Sequence, residues 1–187
     1  MNDDIKKAID VLNSGGVILY PTDTIWGLGC DATNKEAVEK IFKIKKRSES
    51  KSMLILLNSI GSVYSYVEQV PEMAFDIIEL SDKPVTVIFP GAKNLADNLI
   101  AQDGSIGIRI TRENFTEQLL QKFRKPIVST SANIAETETP LNFAQISEEI
   151  KKQVDYIVEY KQNDLSFGNS SSIIKIGLNN EVKVIRE

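Results

Sequence analysis

Four segments of the chain collect hydroxyl, amide and cationic side chains closely enough to hold a polar ligand. The first, Tyr20-Pro21-Thr22-Asp23-Thr24-Ile25-Trp26-Gly27-Leu28-Gly29, places a proline, two threonines, an aspartate and two glycines after a short apolar run. A turn of that composition faces hydroxyls and amides one way, and the end of a sheet strand is where such loops receive small polar ligands. The competing reading is an ordinary turn in which Thr and Asp satisfy their own backbone. The second segment, Lys43-Ile44-Lys45-Lys46-Arg47-Ser48-Glu49-Ser50-Lys51, concentrates five cations. Arginine grips two phosphate oxygens in a fork, and lysine adds a movable point charge. Cations at a helix C-terminus also simply favour its dipole.

Ser129-Thr130-Ser131-Ala132-Asn133 and Gly168-Asn169-Ser170-Ser171-Ser172 are the other two segments. Side chains this small can hydrogen-bond a nucleoside or a phosphate without steric conflict; they can equally cap a helix or close a turn. Arg109 interrupts the apolar run Ile106-Gly107-Ile108-Arg109-Ile110, so it either lies on a solvated face or pairs inward with an anion. Arg186 stands similarly at the end of the last apolar run. Trp26 and Cys30 read as packing residues. No G-x-x-x-x-G-K-[ST] is present, which excludes nucleotide binding through a Walker A loop.

Composition narrows the chemistry further. The 187 residues contain no histidine and one cysteine. Ser-His-Asp and Cys-His nucleophilic catalysis, imidazole metal ligands, internal disulfides and cysteine-rich metal sites are all excluded. What is left is charge neutralisation and positioning by carboxylates, lysines, arginines, hydroxyls and backbone amides. A net charge of −4 argues against a dedicated nucleic-acid binder, although it leaves room for a local basic patch. With 42% hydrophobic and 26% charged residues, the expectation is one soluble domain over residues 1–187. No apolar run approaches the ~20 residues of a membrane span. The acidic Met1-Asn2-Asp3-Asp4 start is unlike a signal peptide, so a cytoplasmic location is expected.

The elements that must position these groups can be read from periodicity. Ile5, Ala8, Ile9 and Leu12 predict a helix over Asp3–Asn13, stopped by Gly15-Gly16. Val17–Tyr20 is a short buried strand, and the PTDTIWGLGCDA stretch reads as loop. Asn34 can cap a second helix running toward Lys46. Met53–Leu57 has the continuous apolar pattern of a strand covered on both faces. Short helices are expected at Ser59–Val67 and Glu72–Leu80, and further helices at Glu113–Phe123 and from Asn142 to Lys152. Strands are expected at Val85–Phe89, Ile106–Ile110, Ile127–Ser129, Tyr156–Glu159, Ser172–Ile176 and Val182–Ile185, with Asn179-Asn180 as a hairpin turn. Early alternation and a strand-rich end predict an α/β fold, a mixed sheet with helices packed on it.

In combination, YPTDTIWGLGCDA, KKRSESK, SIGIR, STSAN, SSS before a strand and a near-terminal arginine resemble the YrdC-like family. Its best-known members, of the single-domain TsaC type, make threonylcarbamoyl-AMP for the threonylcarbamoyladenosine modification of tRNA. The likeness runs from about Ile9 to Arg186 and is strongest over Tyr20–Ala32, close to Y-P-T-[DE]-T-x-[YW]-G-L-G. It implies a twisted mixed parallel/antiparallel sheet in a single YrdC-like domain, without the extra C-terminal domain of longer relatives. It implies a cytoplasmic synthase that joins L-threonine, bicarbonate and ATP, with Mg²⁺ bridged by substrate oxygens and no protein metal site. Downstream partners would be a threonylcarbamoyl transferase machinery and tRNA.

Position by position, the resemblance implies threonine contacts at Thr24, Arg109, Ser129 and Ser171. It implies ATP contacts at Arg47, Lys51, Ser105, Ser131, Asn133, Thr139 and Arg186. Lys45 matches the lysine of the family's K-x-R element, where it would hold the carboxylate or carbamate, and Lys45 with Arg47 is the expected catalytic pair. The chain departs from the family at Asp82-Lys83-Pro84-Val85-Thr86, where P-G-P-x-T is usual, and at Ser52, where a proline is usual. It departs again at Ala135-Glu136 and at Ser170-Ser171-Ser172. A YciO-type RNA- or ligand-binding module of the same fold, without synthase activity, is the alternative. Carbamoyl transfer from carbamoyl phosphate, as in larger multidomain relatives, ranks last.

Overall fold

The computed structural model of the protein describes residues 1–46, 53–166, 168–179 and 181–187. Helix α1 (Asn2–Asn13) buries Ile5, Ala8 and Leu12, the stripe its sequence spacing sets, and places Asp3 and Asp4 in the first turn, where acids favour the dipole. Helix α2 (Lys35–Lys45) begins as expected at Asn34, whose side chain accepts from the Ala37 amide, and ends at Lys46 in the left-handed region. Helix α3 spans Met73–Leu80 and α4 spans Asn114–Phe123. The Glu113 carboxylate caps α4 by accepting from the Thr116 amide.

Nine strands among the described residues form one sheet. In chain order they are β1 (Ile18–Tyr20), β2 (Gly27–Gly29), β3 (Leu54–Leu57), β4 (Val85–Phe89), β5 (Ile106–Ile110), β6 (Ile127–Ser131), β7 (Tyr156–Ile157), β8 (Ser172–Ile176) and β9 (Val182–Arg186). Their order across the sheet is β7-β1-β2-β6-β3-β5-β4-β8-β9. Pairs β1–β7, β3–β5 and β4–β8 are parallel and the others antiparallel. The central strands are buried, with Ile55, Leu56, Val87, Ile108 and Val128 fully enclosed, which is why they read as continuous apolar runs. Helix α1 packs on α4 and on β1 and β7.

Three local expectations change. The stretch taken as loop contains β2, because Gly27 and Gly29 carry no side chain to signal alternation. Asn142 and Lys152 do not bound one helix. Asn142 caps a 3₁₀ turn, Phe143–Gln145, then buried Ile146 runs extended, and Ser147 caps a separate helix α5 (Glu148–Lys151). A second capping side chain in mid-segment divides the helix. The Ser59–Val67 segment is likewise 3₁₀, over Ile60–Ser65. Asn180, half of the expected hairpin turn, lies outside the described residues. The β8–β9 hairpin is closed by the Gly177 amide donating to the Glu181 carbonyl at 2.8 Å.

Registers position the polar segments. Gly27 faces Ser131 on β6, Leu54 faces both Ser129 and Gly107, and Leu56 faces Arg109. The hydroxylated end of β6 therefore lies beside the start of β2 and β3. Gly29 is required there by packing: a Cβ would sit 2.6 Å from Tyr20 Cε1, 2.9 Å from Ile127 Cγ2 and 2.9 Å from the Val128 carbonyl. Gly29→Ala is expected to cost about 1–3 kcal/mol. Urea unfolding checks it: the midpoint should fall with the slope unchanged.

Candidate active site

Loop 21–26 folds over the buried strands and is fixed by four interactions. The Thr116 hydroxyl donates to the Pro21 carbonyl at 2.8 Å, and the Thr22 hydroxyl donates to the Ile25 carbonyl at 2.7 Å. Thr22 and Thr24 share a hydroxyl–hydroxyl bond of 2.9 Å. The fourth is electrostatic: Arg109 Nε lies 3.2 Å from Asp23 Oδ1, with both side chains at most 9% exposed. The two atoms form an ion pair without hydrogen-bond alignment. Burial pulls the Arg109 guanidinium below its usual range, the Asp23 charge and then Tyr20 oppose that, and Arg186 adds a small further lowering. The sequence signal for this pair was the lone arginine in an apolar strand; its partner could not be named from sequence.

Beside this loop lies a cleft of about 250 Å³. Its walls include Thr24, Arg109, Ser129, Ser131, Thr139, Ser171 and Arg186, brought from the loop, β5, β6, the segments around residues 139 and 171, and β9. Each of these carries an expected site role. Ser171 is held from two sides: its hydroxyl bonds Thr86 Oγ1 at 2.9 Å, and its carbonyl accepts from Arg186 Nε at 3.0 Å and Nη2 at 2.6 Å. Apolar Ile25, Leu54, Met53 and Ile173 complete the lining. Trp26, read as a packing residue, is 5% exposed and packs against Phe143 in a tilted arrangement with ring centroids 4.8 Å apart, yet also borders the cleft.

Other expected residues sit elsewhere. Lys45 is 2% exposed and lies behind the cleft wall. Its ammonium donates to the Ser131 carbonyl at 2.5 Å, the Asn133 carbonyl at 2.8 Å and Asn133 Oδ1 at 3.2 Å. It thus joins the end of α2 to the Ser129–Asn133 segment. Asn133 Oδ1 also accepts from the Ser131 hydroxyl at 2.5 Å, so these two side chains are bound to each other. Ser105 lines a neighbouring cavity of about 410 Å³ that shares Met53, Leu54 and Ile173 with the cleft. There its hydroxyl donates to Asp103 Oδ1 at 2.5 Å, while Lys175 holds Asp103 Oδ2 at 2.6 Å. Arg47 and Lys51 lie outside the described residues.

A larger cavity, about 510 Å³, opens on the other side of loop 21–26, against Arg112, Glu113, Asn142, Tyr160 and Lys161. Among the described residues, Thr24 is the one expected site residue that borders it, whereas seven line the smaller cleft. Among the described residues no three His, Cys, Asp or Glu side chains come together as a metal site, and no helix is long and apolar enough to cross a membrane.

Comparisons with known proteins agree with the fold. A family model described as telomere recombination (Sua5_yciO_yrdC) matches residues 10–187. A relative from Pseudoalteromonas translucida strain TAC 125, named threonylcarbamoyl-AMP synthase, is 35% identical over 181 residues, 95% of each chain. One of the same name from Hahella chejuensis is 33% identical over 87% of this chain and 89% of its own. Among solved structures, E. coli YciO superposes with a TM-score of 0.86 at 25% identity, over 100% of this chain and 90% of its own. P. abyssi Sua5 complexed with L-threonine superposes with a TM-score of 0.82 at 21% identity, over 92% of this chain. The chain spans 50% of that protein.

Two outcomes follow from the site's geometry. Lys45→Met removes the ammonium but keeps the volume, leaving buried carbonyls of Ser131 and Asn133 without this donor. It should lower unfolding free energy by about 2–4 kcal/mol in urea titration. Asp103, held by Lys175 and then by Ser105, has its carboxyl lowered to about 2. Its folded value is below the unfolded one of about 3.9, so its stabilisation is complete above that pH and is lost as pH falls toward 2. Carboxyl ¹³C NMR should give a midpoint near 2, rising in Lys175→Met.

Proposed function

The chain belongs to the Sua5/YciO/YrdC family, and from that membership we propose that it is a threonylcarbamoyl-AMP synthase acting on L-threonine, bicarbonate and ATP. The observation that carries the reading is the 250 Å³ cleft, in which a buried arginine, an exposed arginine and eight serine or threonine residues converge without any histidine. That is a site for holding two anionic substrates together, and holding them is most of what this reaction needs.

The amine nitrogen of threonine bonds to the bicarbonate carbon with loss of water, giving N-carboxy-threonine. A carbamate oxygen then attacks the α-phosphorus of ATP. The bond from that phosphorus to the pyrophosphate oxygen breaks, pyrophosphate leaves with the electron pair, and the mixed anhydride threonylcarbamoyl-AMP remains. No protein nucleophile is required. Arg109 takes the threonine carboxylate, with Thr24, Ser129 and Ser171 around the amino acid. Arg186 spends two of the guanidinium's five donors on the Ser171 carbonyl and offers the remainder to phosphate. Arg47 and Lys51 serve the phosphates from the neighbouring segment, and Ser105 and Thr139 extend the nucleotide side. Lys45 acts by holding Ser131 and Asn133 in place. The Mg²⁺ that accompanies ATP would be held by substrate oxygens. The product would pass to a transferase acting on tRNA in the cytoplasm.

One observation favours a second reading, a binding module without synthase activity: the likeness to YciO over the entire chain. The two readings separate on pyrophosphate release from ATP. A synthase releases pyrophosphate only when threonine and bicarbonate are both present, and Arg47→Ala should lower kcat/KM at least about 100-fold without unfolding the protein. Folded protein that releases none, but binds RNA with steep salt dependence, is the module.

A further inference from the structure

Resting on the synthase reading, we propose that Gly168 is a positioning residue for the amino-acid substrate, setting the spacing between the two loops that enclose it. The 168–171 segment and loop 21–26 run side by side between the 250 Å³ cleft and the 510 Å³ cavity. Gly168 borders the larger space, Ser170 and Ser171 the smaller, and Thr24 both. At Gly168 and Thr24 they meet backbone to backbone. A Cβ on Gly168 would overlap the Thr24 carbonyl oxygen, lie 2.8 Å from the Thr24 carbonyl carbon and approach Ile25 Cγ2 at 3.1 Å.

The seam cannot yield symmetrically. On one side, the segment is tied down three residues later. Ser171 is 2% exposed, bonded through its hydroxyl to Thr86 on β4 and through its carbonyl to Arg186 on β9. The Gly168 amide also donates to the Leu141 carbonyl at 3.3 Å. On the other side stands the Thr24 backbone, which no rotamer change can move aside. A methyl group at 168 must push the Thr24–Ile25 peptide away, and with it the Thr24 hydroxyl, relative to Ser171 and Arg109. Displacements of about 1 Å between substrate-holding groups reduce rate on the order of 100-fold. The nucleotide-side residues Ser131, Thr139 and Ser105 lie on other segments and keep their places.

The test is Gly168→Ala beside Gly61→Ala, a glycine whose Cβ would meet nothing within 4 Å. The expected result is a KM for threonine raised at least about 10-fold, with KM for ATP within about 2-fold of wild type. Trp26, the single tryptophan, adjoins the displaced peptide, and its emission should shift to the red. The circular dichroism spectrum should not change, and Gly61→Ala should match wild type throughout. Wild-type threonine KM and emission in folded Gly168→Ala would overturn the proposal. So would equal rises in both KM values. If wild-type protein releases no pyrophosphate, the synthase reading fails by itself, and the Trp26 shift decides whether the seam exists. If Gly168→Ala does not fold, the wild-type protein decides: a nuclear Overhauser contact between the Gly168 α-protons and the Ile25 γ-methyl is required, and its absence overturns the seam.

Discussion

A guanidinium on a buried central strand must find a countercharge, and the position of that countercharge organises the ligand side of this sheet. Arg109 is 4% exposed on β5, where leaving it unpaired would cost several kcal/mol of lost hydration. Asp23 supplies the opposite charge from a loop that precedes it by more than eighty residues. Pairing them folds loop 21–26 over the strands and so fixes where the Thr22 and Thr24 hydroxyls point. The pair is neutral as a unit. Among the described residues lining the cleft, Arg186 carries the remaining positive charge, close enough to Arg109 to lower its proton affinity slightly.

Two other cations do structural work of a related kind by donating to backbone carbonyls. Lys45 draws the Ser131 and Asn133 carbonyls toward the end of α2, and Arg186 draws the Ser171 carbonyl toward β9. Carbonyls on irregular segments need donors when buried, and long cationic side chains reach them across several ångströms. The hydroxylated segments around the cleft are thus held by charge-assisted bonds and not by regular secondary structure alone. Thr86 belongs to the same scheme. It is the polar residue kept where the chain departs from the family's P-G-P-x-T pattern, and its hydroxyl bonds Ser171, in another segment that departs from the family, at 2.9 Å.

A site without histidine has no group that titrates near neutrality by its ordinary value, so its catalytic power must come from geometry and fixed charge. That makes close contacts between loops as consequential as the residues that touch ligand. Gly168 against Thr24 is such a contact, and Gly29 on β2 against Tyr20 on β1 is a similar one within the sheet. Neither glycine carries chemistry, yet each sets a distance that a single methyl group would change.

Periodicity and capping in the sequence determined α1, α2 and α4, the central strands β3, β4 and β5, and the grouping of hydroxyls and cations into four segments. These are local properties: an apolar stripe, an Asn or Glu before a helix, a run of β-branched residues. Order along the chain then identified the family and nominated the residues. Only the tertiary structure decided where the described nominated residues sit. It bonds Lys45 to the Ser131 and Asn133 carbonyls, puts Ser105 in an adjoining cavity, and makes β2 from two glycines that carry no hydrophobic signal. It also joined Arg109 to Asp23 and Gly168 to Thr24. Partners so far apart in the chain are chosen by sheet order and burial, and a linear pattern records neither.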